Sequence, residues 1–150
     1  VDGIILDFEF LDNNTISAIC EEMLIILDGD GEETGRYSYN GMYLTDYVFS
    51  SDMTTLLLSH YRTGNTGMLV NVDTRGRSSG SADTEGEFLS LSLNDGDLLA
   101  LRSGTMTLYD SSLNVKRDFS CPLGVRQALL RSGGDALLLT GYGAELYSLS

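Results

Sequence analysis

Tryptophan is absent from the 150 residues, proline occurs once (Pro122), histidine once (His60) and cysteine twice. A single histidine excludes His-pair metal sites and leaves any acid–base scheme to His60 alone or to carboxylates. Cys20 and Cys121 lie far apart and fit neither a C-x-x-C nor a zinc spacing, so free, partly buried thiols are expected. Basic residues are also scarce: 9 Lys and Arg stand against 22 Asp and Glu, a formal net charge of −13. Such a surface favours solubility and repels phosphate backbones and anionic headgroups, which argues against nucleic acid and direct membrane contact. No apolar run approaches the ~20 residues of a membrane-spanning helix. No signal-peptide pattern opens the chain. It begins without an initiating Met, at Val1-Asp2-Gly3, and reads as a piece of a longer protein. Sustained helical periodicity is missing as well.

What is present is a repeat. The hydrophobic fraction of 42% supports a packed core. A hydrophobic residue, a polar turn and an apolar strand recur about every forty residues. The turns are Phe49-Ser50-Ser51-Asp52, Leu93-Asn94-Asp95-Gly96 and Leu130-Arg131-Ser132-Gly133-Gly134-Asp135, leading into Thr54–Tyr61, Asp97–Leu101 and Ala136–Thr140. Phe10, Phe49, Leu93 and Leu130 correspond, at spacings of 39, 44 and 37 residues. Asp28, Asp73 and Asp110 close third strands, and Ser148 takes that place last, at spacings of 45, 37 and 38. Two independent landmarks make a chance repeat untenable.

Repeats of this length built from short strands predict an all-β fold, a β-propeller fragment of about four four-stranded antiparallel blades. The first blade reads as Leu6–Phe10, Thr15–Cys20, Met23–Asp28 and Thr34–Tyr39, with Leu6, Phe8 and Phe10 alternating with Asp7 and Glu9 as a half-buried inner strand. The second reads as Leu44–Phe49, Thr54–Tyr61, Met68–Asp73 and Arg77–Ala82, the third as Phe88–Leu93, Asp97–Leu101, Thr105–Asp110 and Val115–Ser120. In the third, Leu89, Leu91 and Leu93 share one face and Ser90 and Ser92 the other. The fourth has Gln127–Leu130, Ala136–Thr140 and Ala144–Leu149, and lacks its outer strand. Blade boundaries fall near 4–43, 44–87, 88–125 and 126–150. Propellers commonly have four to eight blades. The expectation is therefore the C-terminal half of a ring of seven or eight, the alternative a four-bladed ring closed by Val1–Ile5.

The turn Phe49-Ser50-Ser51-Asp52 and the strand ends Leu108-Tyr109-Asp110 and Val72-Asp73-Thr74-Arg75-Gly76 resemble the blades of WD40-like, TolB-like and quinoprotein-like propellers. The resemblance covers essentially the whole chain and is generic. The Gly-His and Trp-Asp signatures of WD40 blades are missing, as are the tryptophan docking motifs of quinoprotein blades. In character the chain resembles propeller domains of unknown function from bacterial, often Firmicutes, cell-surface or membrane-anchored proteins. The resemblance implies an extracytoplasmic, anchored protein.

The sharpest local motif is Asp28-Gly29-Asp30-Gly31-Glu32-Glu33. Oxygen ligands alternating with glycines suit a calcium loop, making Asp28, Asp30 and Glu32 a candidate metal set. Tyr39 occupies the twelfth position, where an EF-hand needs an acid. The competing reading is a Gly-rich turn equivalent to Asp73–Gly76. No other cofactor is expected.

Propeller geometry sorts the loops between two ends of a blade. One end collects Asp12, Asp28, Asp30, Glu32, Glu33, Asp52, Asp73, Asp95, Asp97, Asp110 and Asp135. The other carries Tyr43, Arg62, Asn65, Arg102 and Tyr142, with Glu21, Glu22 and Glu85. Exposed arginine and aromatic residues are what binding surfaces favour, so Tyr43, His60, Arg62, Arg102 and Tyr142 are the candidate binding residues; the ordinary reading is loop decoration. No catalytic constellation is visible. The leading expectation is a non-enzymatic module binding a protein or glycan. The alternatives are part of a propeller hydrolase with its catalytic groups elsewhere, and a structural or sensor domain. Unpaired edges and apolar faces further predict a homodimer.

Overall fold

The computed structural model describes residues 3–63 and 66–150. Among the described residues, fifteen strands form four antiparallel sheets, each a meander in chain order. The first sheet holds β1 (Ile5–Phe10), β2 (Thr15–Cys20), β3 (Met23–Asp28) and β4 (Glu33–Ser38). The second holds β5 (Tyr43–Phe49), β6 (Met53–Ser59), β7 (Thr66–Asp73) and β8 (Ser78–Glu85). The third holds β9 (Phe88–Asn94), β10 (Asp97–Arg102), β11 (Thr105–Tyr109) and β12 (Val115–Ser120). The last has three strands: β13 (Val125–Leu130), β14 (Asp135–Thr140) and β15 (Ala144–Ser148). The blade plan, including the absent outer strand of the fourth, is the expected one. The blades group into two compact units, the first ending at Glu85 and the second spanning Gly86–Ser150.

The Asp landmark is a turn device. Asp28 Oδ1 accepts the N–H groups of Asp30 (3.0 Å) and Glu32 (2.9 Å). Asp73 does the same with Arg75 and Arg77, and Asp110 with Ser112 and Asn114, all at 2.9 Å. Such Asx turns replace strand pairing where the chain reverses. Ser148 Oγ accepts from Ser150 N at 3.4 Å, a single and longer counterpart of those bonds. The N–H groups of Asn114 and Ser112, with the Asn114 side-chain amide, hold the Asp110 carboxyl below the usual range. Burial pushes Asp73 up, but the N–H groups of Arg77 and Arg75 outweigh it and keep its carboxyl low. Each turn needs one left-handed residue: Gly31 (φ 85°), Gly76 (φ 77°) and, in the third blade, Leu113 (φ 63°). Leu113 is buried, and that burial offsets the steric cost a side chain meets there.

Every inner strand also carries one extra residue against its partner. Leu6, Thr45, Leu89 and Arg126 are skipped in the pairing, each four positions ahead of Phe10, Phe49, Leu93 and Leu130. The outer strands repeat the device at Thr34, Ser79 and Lys116, each six positions after Asp28, Asp73 and Asp110. These bulges bend and twist a strand locally.

Within the first unit the core joins the first two blades: Ile19, Leu24, Ile26 and Tyr39 pack with Leu56, Leu58, Val70 and Val72. Ser17 and Thr54 share a buried hydroxyl bond at 2.7 Å, and Tyr47 Oη donates to Asp7 Oδ2 at 2.8 Å. Within the second unit, Leu99, Leu101, Met106 and Phe119 pack with Val125, Ala128, Ala136 and Leu138. Ala128 N donates to Ser90 Oγ (3.1 Å) and Leu130 N to Ser92 Oγ (2.8 Å). The serine face of β9 is thus buried against the next blade, because a hydroxyl there satisfies backbone N–H groups that an apolar side chain would strand.

One expectation is corrected. β1 is not half-buried: Leu6, Phe8 and Phe10 are each more than half exposed, because among the described residues of the first unit the second blade packs on the opposite side of this sheet, through Asp7 and Ser17. Cys20 and Cys121 are both buried and free. Burial pushes both thiols up, with Glu33 adding to the effect at Cys20, so neither is activated.

Candidate functional site

Among the candidate residues, Tyr43 and Arg62 come together. The connection from β4 to β5 is pinned by Tyr39, which is 1% exposed and donates its hydroxyl to the Cys20 carbonyl at 3.1 Å. Its N–H donates to the Glu22 carbonyl and its own carbonyl accepts Met42 N, both at 3.0 Å. Asn40 and Gly41 are both left-handed (φ 53° and 82°), and Asn40 N donates to Ser38 Oγ. The resulting tight turn delivers Tyr43 to the end of the blade. There the Arg62 guanidinium lies over the Tyr43 ring, 5.4 Å from its centroid. Glu21, Glu22, Met23, Ser38, Gly41 and Met42 complete a cavity of about 410 Å³. Two exposed carboxylates, a guanidinium and an aromatic face offer hydrogen-bond acceptors, donors and a stacking surface. Sequence reasoning missed Tyr39; the signal was an aromatic residue directly before the turn-forming pair Asn40-Gly41.

Burial pushes the Tyr39 phenol well above the usual tyrosine range, with smaller effects from Cys20 and Tyr47. The folded state keeps this proton while the unfolded chain releases it near pH 10, so stability from Tyr39 is full below about 10 and falls as pH rises further. Tyr39→Phe is expected to cost about 1 kcal/mol at pH 7. It should also flatten the alkaline loss, as read from urea midpoints at pH 7 and above 10.

The remaining candidates sit elsewhere. His60 follows β6 and is exposed; its backbone N–H donates to the Thr66 carbonyl at 3.1 Å, and its side chain does not line the cavity. Asn65 lies outside the described residues. Arg102 and Tyr142 belong to the second unit. Arg102 is held within its own blade: Nη2 donates to Thr107 Oγ1 (3.3 Å), which donates to Asp118 Oδ1 (2.6 Å), and the guanidinium sits 5.7 Å from the Phe88 ring centroid. Tyr142 is fully exposed and lines a second cavity, about 480 Å³, with Leu123, Gly124, Arg126, Thr140 and Gly141. Both cavities use a connection between blades and the turn between a second and third strand, so they fall at the same end of the repeat. At the calcium candidate, Asp28 spends Oδ1 on the two turn N–H groups, as Asp73 and Asp110 do without its extra acids. Among the described residues, no three His, Cys, Asp or Glu side chains are grouped as metal ligands.

No protein-family profile and no curated protein matches the chain. Solved structures do. BamB from Moraxella catarrhalis superposes with a TM-score of 0.70 at 15% identity, over 97% of this chain and 47% of that one. BBS1N, solved in complex with ARL6DN, gives 0.68 at 12% identity, over 99% and 53%. A protein of unknown function from Bacteroides caccae gives 0.63 at 10% identity, over 99% and 58%. The chain spans about half the length of these structures, and at such identities the likeness speaks for the fold alone: it is propeller-like.

Proposed function

We propose that the chain is a non-enzymatic propeller module that binds a protein or glycan in an extracytoplasmic, membrane-anchored bacterial protein. The binding end is the one carrying Tyr43, Arg62, Glu21 and Glu22. The observation that carries the reading is the Arg62–Tyr43 pair lining a cavity with two carboxylates, Tyr43 following a turn fixed by buried Tyr39 and Arg62 coming from the connection between β6 and β7. A rigid aromatic with an adjacent arginine is the composition of binding hot spots. BBS1N, a structural neighbour, was solved bound to another protein, which supports partner binding as a use of this fold. Self-association in pairs belongs to the same reading.

NMR shift mapping of the chain against soluble oligosaccharides, alongside affinity capture with purified cell-surface proteins, tests it. Tyr43→Ala and Arg62→Ala should each weaken the ligand found by roughly 10-fold or more. Shifts confined to other loops would overturn the assignment. Turnover of a chromogenic ester or glycoside would overturn the non-enzymatic part.

A further inference from the structure

We infer that Asn40 is a self-modification site: its side-chain amide condenses with the main-chain nitrogen of Gly41, and the turn that sets Tyr43 comes apart as the chain ages. This goes beyond the binding role proposed above and stands without it. In sequence, Asn13, Asn14, Asn65, Asn71, Asn94 and Asn114 precede Asn, Thr, Thr, Val, Asp and Val, and Asn40 alone precedes glycine. The attacking group is the nitrogen of the following residue, and glycine is the residue with no Cβ to hinder its approach. A Cβ placed on Gly41 would meet nothing within 4 Å, so there is room for a ring to close. Asn40 and Gly41 are both exposed. Among the described residues, no hydrogen bond holds the Asn40 side chain or the Gly41 N–H. Other asparagines are restrained: Asn94 Nδ2 donates to the Leu130 carbonyl and Asn114 Nδ2 to Asp110 Oδ2, both at 3.1 Å, and fully buried Asn71 accepts from Thr55 Oγ1.

The reaction needs water and neither oxidant nor reductant. Gly41 N gives up its proton and attacks Asn40 Cγ. The N–Cγ bond forms, the Cγ–Nδ2 bond breaks, and Nδ2 takes up a proton and leaves as ammonia. Water then opens the succinimide ring. Addition at Cγ breaks the new bond and leaves an aspartate. Addition at the main-chain carbonyl carbon breaks the original peptide bond and leaves an isoaspartate, with one extra methylene in the main chain. Residues Tyr39 to Met42 have no slack for that methylene. Asn40 and Gly41 are both left-handed and the Met42 N–H closes on the Tyr39 carbonyl at 3.0 Å, the plan of a type I′ turn. Lengthening the chain between those two groups breaks the closing bond, and Tyr43, the next residue along, leaves its place beside Arg62. Either product also adds a carboxylate next to Gly41, which lines the cavity with Glu21 and Glu22.

Peptide mapping of the intact folded chain after prolonged incubation at physiological temperature is the test, at neutral pH and one unit above. Deamidation and isoaspartate, the latter labelled by an isoaspartyl methyltransferase, should accumulate at position 40 ahead of every other asparagine. The rate should rise about tenfold for the added unit of pH, as the deprotonated share of a weakly acidic amide does. Asn40→Gly should abolish the reaction there and stay folded, since Gly-Gly also suits a type I′ turn. In the aged chain the NMR ring signals of Tyr43 should move. Freshly prepared Asn40→Asp should leave them largely in place, because it adds the charge without the methylene. A chain that reacts at position 40 when unfolded in urea but not when folded overturns the inference, because the turn then protects the pair. Faster deamidation at another asparagine of the folded chain overturns it as well. Isoaspartate at position 40 with unmoved Tyr43 signals overturns the loss of the turn.

Discussion

Gly35→Ala should lower the stability of the first unit by about 3 kcal/mol, the upper end of what overpacking costs. Gly35 lies in β4, where a Cβ would run into the carbonyl of Arg75 in the turn between β7 and β8. The approach is mutual, since a Cβ on Gly76 would sit 2.6 Å from the backbone N of Arg36. Both obstacles are main chain, so no rotamer change relieves them and the two blades must separate locally. Gly141→Ala is the control: nothing lies within 4 Å of its Cβ position, and the change should stay within about 0.5 kcal/mol. Urea midpoints of the three proteins settle the matter. A Gly35→Ala midpoint indistinguishable from that of the control would show that the blades are not in backbone contact there.

Leu56→Ala should cost about 3 kcal/mol, within the range for deleting a fully buried leucine. Leu56 is 0% exposed and sits where the second blade meets Ile19, Leu24 and Ile26 of the first. The loss combines the transfer energy of the missing atoms with a cavity that two sheets, each held by its own ladder, close only in part. Fluorescence of the tyrosines in that unit should report a lowered midpoint. A loss under about 1 kcal/mol would mean that the core between these blades collapses freely.

The repeat was legible because its landmarks have local chemistry. An Asp that closes a third strand takes two backbone N–H groups, and that need depends on nothing distant. Strand order and the missing outer strand followed from the same spacing. Burial of Phe8 and Phe10 was misjudged for a different reason: alternation distinguishes two faces of a strand but not which face meets a neighbour. The bulges escaped because an extra residue is defined only against the partner strand. At the candidate site, Tyr43 and Arg62 were foreseeable from the end of the blade to which their loops belong. Arg102 shares that end, yet its links to Thr107 and Asp118 depend on strand register, which composition does not reveal.

The bulges give every blade a spare residue. Ordinarily, losing one residue from a strand turns all that follows to the opposite face and buries what was wet. Where a strand already carries one residue too many, deletion at that point can straighten the pairing and leave the side chains beyond it in place. Leu6, Thr45, Leu89 and Arg126 mark four such points, one in each inner strand. A lineage of chains built this way can lengthen or shorten its blades by single residues without passing through an unfolded ancestor, and repeats of one origin can drift apart in length while keeping one architecture.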